Sequence, residues 1–167
     1  MSSVVGRIGK KEVTAIFEDD TVSLVASIDG VGFLLESYDT VFVNPSQSIQ
    51  LALDTAESGT VIMLESGTYT ENILWPQTDH LILSSVDGPE QTTIDGSAAN
   101  ESVIYIGNGQ IGAVVDHLHI TNGYGSISSF HSSISFGGGI LIDQDVRGVI
   151  SNCLITNNGI TPINEYS

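Results

Sequence analysis

Three short segments of this chain repeat one pattern. Asp79-His-Leu-Ile-Leu-Ser-Ser85 aligns with Asp116-His-Leu-His-Ile-Thr-Asn122, and that with Ser151-Asn-Cys-Leu-Ile-Thr-Asn157, at offsets of 37 and 35 residues. Self-similarity at a near-constant period implies stacked equivalent units rather than one unrepeated core. Alternation along extended backbone assigns two faces. Leu81, Leu83, Leu118, Ile120, Cys153 and Ile155 fall on one side and form the expected interior column; His80, His117 and Asn152 fall outside it.

From Thr60 onward the text consists of short β-branched runs, such as Thr92 to Asp95, Val103 to Ile106 and Leu118 to Thr121, separated by Gly, Asn, Asp and Ser. A sandwich should be dominated by regular hairpin turns, and ankyrin-like or leucine-rich arrays need a helix or a Leu-x-x-Leu spacing in each repeat. The pattern instead predicts a β-solenoid of about three coils. One amphipathic helix is expected at about 45–57, with Ile49, Ala52, Leu53 and Ala56 on one face and Asn44 or Ser46 as its cap. It would cover the open end of the first coil.

Residues 1–40 read differently. The stretch from Lys11 to Glu36 holds three β-rich runs split by Glu18-Asp19-Asp20 and Asp29-Gly30, the pattern of an antiparallel meander. This segment carries three basic and seven acidic residues, whereas 41–167 carries Arg147 alone against thirteen acids. Two units follow: a β-rich docking or oligomerisation segment at 1–40 and a solenoid at 41–167. The total charge of −16 leaves little for a phosphate backbone to bind, so nucleic acid is excluded as a partner. No apolar run approaches the ~20 residues of a membrane span. The single cysteine, Cys153, gives no intrachain disulfide. The first residues lack the apolar stretch of a secretory signal.

The ordered series Ser48-Ile-Gln-Leu-Ala-Leu-Asp-Thr-Ala56, Ser66-Gly-Thr-Tyr-Thr-Glu-Asn-Ile73, Thr93-Ile-Asp-Gly96, Ile120-Thr-Asn-Gly123, Gly137-Gly-Gly-Ile-Leu-Ile142 and Asn152-Cys-Leu-Ile-Thr-Asn-Asn158 resembles the right-handed parallel β-helix proteins of the pectin-lyase-like superfamily. The resemblance covers about 41–159 and implies an all-β, right-handed parallel β-helix with an N-terminal capping helix. It is poor for function, because that superfamily includes polysaccharide lyases and hydrolases, adhesins, metal-delivery proteins and phage tailspikes. Within it, Asn122 and Asn157 would occupy left-handed turn positions one repeat apart.

Lyases of this fold generally use carboxylates to hold calcium and a basic side chain to abstract a proton. Asp143, Asp145 and Arg147 are the catalytic candidates, since alternation along an extended segment would point all three the same way. Against this, a base arginine needs a strongly lowered pKa, which neighbouring carboxylates oppose, so an exposed loop with locally paired charges is favoured. The aspartate trio and Gly-His-Gly segment of the hydrolases have no counterpart in the sequence. His80 and His117, stacked one strand spacing apart with His119 two residues along, are the metal candidates; calcium is the other cation considered. Tyr69 and Trp75 are candidates for stacking on a sugar.

The expected function is a structural or attachment component of a virion, tail-fibre or tailspike-like, or of an extracellular appendage, contacting polysaccharide without catalysis. After Gly159 no amphipathic helix covers the last coil, so self-association or pairing with another structural protein is expected there and through 1–40. The alternatives are the N-terminal part of a polysaccharide lyase or glycoside hydrolase, and a secreted adhesin or metal-delivery module.

Overall fold

A computed structural model describes residues 39–107, 109–127 and 135–160, together with the backbone of four strands nearer the N-terminus. The chain divides into two compact units, Met1–Thr40 and Val41–Ser167. In the first, Ser2–Ile8, Lys11–Glu18, Thr21–Ile28 and Val31–Leu34 pair antiparallel in chain order. The meander expected over 11–36 thus has a further strand ahead of it.

The second unit is all-β apart from one α-helix and a single 3₁₀ turn at Gly96–Ala98 among the described residues. Its chain visits three sheets in turn. The first sheet runs Thr40–Val43, Val61–Leu64, Ile82–Ser85, Ile111–Asp116 and Arg147–Ser151 in spatial order; the second Gly67–Thr70, Thr92–Asp95, His119–Thr121 and Leu154–Thr156; the third Ile73–Leu74, Ile104–Ile106 and Ile140–Ile142. Pairing in the second and third sheets is parallel, as it is among the last four strands of the first. Three complete circuits result, at 61–74, 82–106 and 111–142.

Inward side chains stack in register from circuit to circuit. Ile62, Leu83, Val115 and Ile150 form one column, Tyr69, Ile94, Ile120 and Ile155 a second, and Ile73, Ile104 and Ile140 a third. Members in the middle circuits are fully buried, each contributing about 1.5–3 kcal/mol. In the last rung the same columns open: Cys153 is half-buried and Ile155 is 47% exposed, because no described residue stacks beyond them. The expectation that both are buried is corrected accordingly.

The repeat alignment is also corrected. Residues 116–122 and 151–157 do stack, with His119, Ile120 and Thr121 opposite Leu154, Ile155 and Thr156. Residues 79–85 do not belong with them. Ile82–Ser85 lies in the first sheet opposite Val114 and Val115, whereas His119–Thr121 lies in the second opposite Thr93–Asp95. Leu81 and Leu118 are both fully buried but occupy different columns.

The helix spans Ile49–Thr55 and is capped by Ser48, whose Oγ accepts from the Leu51 N–H, rather than by Asn44 or Ser46. Asn44 instead closes the preceding turn, its Oδ1 accepting from the Ser46 N–H. Glu71 supplies the second part of the cap from the next circuit, accepting from the backbone N–H groups of Ile49 and Gln50. That satisfies orphan donors of the first turn while Ile49 and Leu53 are buried beneath. The side-chain amide of Gln50 pairs with both backbone groups of Leu74 at 2.8 Å, as a neighbouring strand would, and so closes the edge of the third sheet.

Candidate functional site

The corners between sheets fix where polar groups can gather. Among the described residues six non-glycine positions hold positive φ: His80, His117, Asn122, Asp145, Asn152 and Asn157. Asn122 and Asn157 take the left-handed position expected of them. The amide of Asn122, however, donates to Asp95 at 3.0 Å rather than to a stacked amide. His80, His117 and Asn152 are turn residues too, not members of an alternating strand.

This placement takes the histidine column apart. The His80 N–H donates to the Ile111 carbonyl at the entrance to the first sheet, and the His117 N–H to the Ser151 carbonyl at the entrance to the second. His119 stands on the second sheet's outer face, between the hydroxyls of Thr93 and Thr156 at 3.3 and 2.8 Å. The three imidazoles therefore belong to separate surroundings. Among the described residues no three His, Cys, Asp or Glu side chains converge as metal ligands.

The triad of Asp143, Asp145 and Arg147 is likewise dispersed by backbone. Gln144 and Asp145 form a turn, and Asp145 is left-handed, which breaks the alternation that would align the three side chains. Asp143 accepts from the Tyr105 hydroxyl at 2.8 Å and from the Gln144 N–H. Arg147 is exposed and opens the next strand, its N–H donating to the Gln110 carbonyl.

Tyr69 and Trp75 are not surface aromatics. They are 1% and 2% exposed and belong to the core. The Tyr69 hydroxyl reaches the Val43 carbonyl at 2.7 Å and the Glu65 carbonyl at 2.9 Å. Burial and the nearby Glu65 carboxylate push its pKa up to about 12. Sugar stacking on either ring is excluded by this burial.

A polar cluster forms at the corner of Asp116. Its carboxylate accepts from Ser151 Oγ at 2.7 Å and Asn152 Nδ2 at 2.9 Å, and its other oxygen meets His117 Nδ1. Partial burial pushes this carboxyl up, but the three hydrogen bonds and the imidazole outweigh it and hold it below the usual carboxylate range. Asp95 is held low in the same way by Ser97 and Asn122, against partial burial. The serine donates to the aspartate and the histidine has no contact with the serine hydroxyl, so this is not a nucleophile–base arrangement. It joins two rungs.

A concave surface lies outside the third sheet. Leu74 and Tyr105 stand side by side on its outer face; Leu141, next in register, is buried. Two depressions flank this ridge and share Leu74 and Tyr105. One, of about 560 Å³, is bordered by Asn72, Asn100, Glu101, Ser102 and Ser126. The other, of about 680 Å³, is bordered by Gln50, Asp54, Trp75 and Gln77. Leu74 is 57% exposed, Tyr105 half-buried. Sequence reasoning missed this surface. The outward parity of Leu74 between Ile73 and Trp75, and of Tyr105 between Ile104 and Ile106, was the available signal, but only the pairing of the two strands brings them together. No helix among the described residues is long and apolar enough to cross a membrane. The chain matches no protein-family model, no curated protein and no solved structure.

Proposed function

We propose that residues 41–167 form a right-handed parallel β-helix of the pectin-lyase-like kind, acting as a rigid, acidic, non-catalytic shaft. Its setting is a virion, as a tail-fibre or tailspike-like part, or an extracellular appendage, with 1–40 as the docking or oligomerisation unit. One observation carries the reading: apolar columns pass in register through every circuit and reach a last rung where Ile142 and Ile155 are about half exposed. Such columns stiffen a rod by repeating one contact, and a half-exposed rung on which no described residue stacks is a surface for further chain to stack on.

The partner is another copy or another structural protein. At −16 per chain, association has to work against repulsion, so added salt strengthens it. Sedimentation of the purified chain at low and moderate salt tests this, beside incubation with polygalacturonate, alginate and bacterial surface polysaccharides, with and without calcium. Salt-promoted association without release of unsaturated or reducing ends is the expected result. A monomer at both salts overturns the shaft reading, and turnover abolished by Arg147→Ala replaces it with the lyase alternative.

A further inference from the structure

The outer face of the first sheet differs in chemistry from the rest of this acidic chain. Val61, Ile82, Val114 and Val149 stand opposite one another on four successive parallel strands, an aliphatic row along the stacking direction. They point away from the core, because their chain neighbours Ile62, Leu83 and Val115 are fully buried. The first three are half-buried and Val149 is 53% exposed; on the edge strand Phe42, next to the buried Val43, adds an exposed ring. Charge is sparse on this face. Residues 41–167 hold thirteen acids and one base, yet the four strands carry only Asp116 and Arg147. Alternation puts both on the outer face, Arg147 two residues before Val149 and Asp116 two residues after Val114. Glu65, Asp79 and Asp87 lie beyond the strand ends.

We propose that this face pairs with the same face of a second copy, the two solenoids lying side by side about a two-fold axis parallel to the stacking direction. An axis along the row lays the row on itself and reverses the strands of the copy, so a position two residues before the row meets one two residues after it. Arg147 then lies over the partner's Ser151 and that serine's strand neighbour Asp116, and the symmetry repeats the pair. The Asp116 carboxylate uses three of its about four acceptor positions within the chain, which leaves one for a guanidinium N–H. An axis along the strands would instead set Arg147 over the start of the first rungs, where the strands hold no acid. The other twelve of the thirteen acids lie off these strands with no base among them, so a second copy is repelled from the rest of the unit. Four strands at ~4.8 Å and five residues at ~3.3 Å make a face of roughly 300 Å², against ~800 Å² per partner in a standard interface, so the dimer is weak and reversible. The proposal rests on the shaft reading in that it supplies the rod's partner, but it uses the side of the rod and not its open end.

Sedimentation equilibrium of the full chain from micromolar to millimolar concentration, at moderate salt, should show a reversible dimer. Val114→Glu, within the row, should weaken it at least tenfold, and Arg147→Glu likewise. Thr68→Glu adds the same charge to an exposed position on the second sheet and should leave the affinity within about threefold. Circular dichroism and thermal melts check that each variant folds. In a Cys153→Ser background, Val114→Cys should form a disulfide with its own counterpart under mild oxidation, since the axis passes through the row, while Thr68→Cys should not. Equal effects of Val114→Glu and Thr68→Glu, or a dimer in which Val114→Cys does not cross-link, overturn the lateral contact and leave standing the association that the shaft reading requires. A parent chain that is monomeric throughout overturns both, and polysaccharide turnover overturns the shaft reading alone.

Discussion

The carboxylate of Asp116 accepts a hydrogen bond at 2.7 Å from the hydroxyl of Ser151, the residue directly opposite it on the next strand of the first sheet. With Asn152 and His117 it ties the last complete circuit to the rung above. A carboxyl whose folded pKa lies below its unfolded value contributes stability above about pH 3.9, and that contribution is lost as pH falls through the folded pKa. Asp116→Ala should therefore cost about 1 kcal/mol at pH 7 and flatten the acid limb of the stability curve. Urea melts between pH 3 and 7 check this; an acid limb identical to that of the parent chain would show that the corner adds nothing.

Tyr69 gives the opposite limb. Its buried hydroxyl bonds the Val43 carbonyl, and its pKa is raised to about 12 from an ordinary value of 10.0. The neutral phenol is favoured in the fold, so the stability it supplies is intact below pH 10 and is lost as pH climbs towards 12. Ultraviolet titration should show one of the five tyrosines ionising late. Tyr69→Phe should remove that late step and cost only about 0.5–1.5 kcal/mol, because the Val43 carbonyl keeps its bond from the Glu65 N–H.

Close passage of backbone at one corner requires glycine. A methyl group on Gly123 would run into the carbonyl of Gly138, and one on Gly138 into the carbonyl of Gly159. Gly123→Ala is expected to cost more than about 3 kcal/mol, since the obstacle is backbone and cannot rotate away. Gly107→Ala, where a methyl group meets only the far end of Gln77, should change stability by less than about 0.5 kcal/mol. Thermal melts of the two variants make the comparison.

What the sequence disclosed and what it hid divide along local and non-local lines. The left-handed positions of Asn122 and Asn157, the buried leucines 81 and 118 and the amphipathic helix follow from short-range rules and could be read directly. The equivalence of Asp79-His-Leu and Asp116-His-Leu could not. Both corners hold a left-handed histidine followed by a buried leucine, so two different corners carry the same three letters. Only the pairing of Ile82 with Val114, and of His119 with Thr93, tells them apart. The same holds for Glu71 on the helix, for Tyr69 and Trp75 in the core, and for the outward pair Leu74 and Tyr105, each of which depends on a partner from another circuit.

Ile120 and Ile155 are successive members of one column, the first fully buried and the second 47% exposed. In an isolated chain Ile120→Ala should cost about 2–5 kcal/mol and Ile155→Ala distinctly less, because a half-solvated side chain has already forfeited much of its transfer energy and leaves no closed cavity. Association changes only the second number. If a partner stacks on the last rung, Ile155→Ala should be mild at micromolar dilution and low salt but grow in cost under conditions where the chain assembles, while Ile120→Ala stays constant. Urea melts of both variants at two protein concentrations and two salt levels measure the four values. A cost for Ile155→Ala that is small and equal in all conditions would mean that the rung is solvated in the assembled chain as well, and would move the contact to another surface.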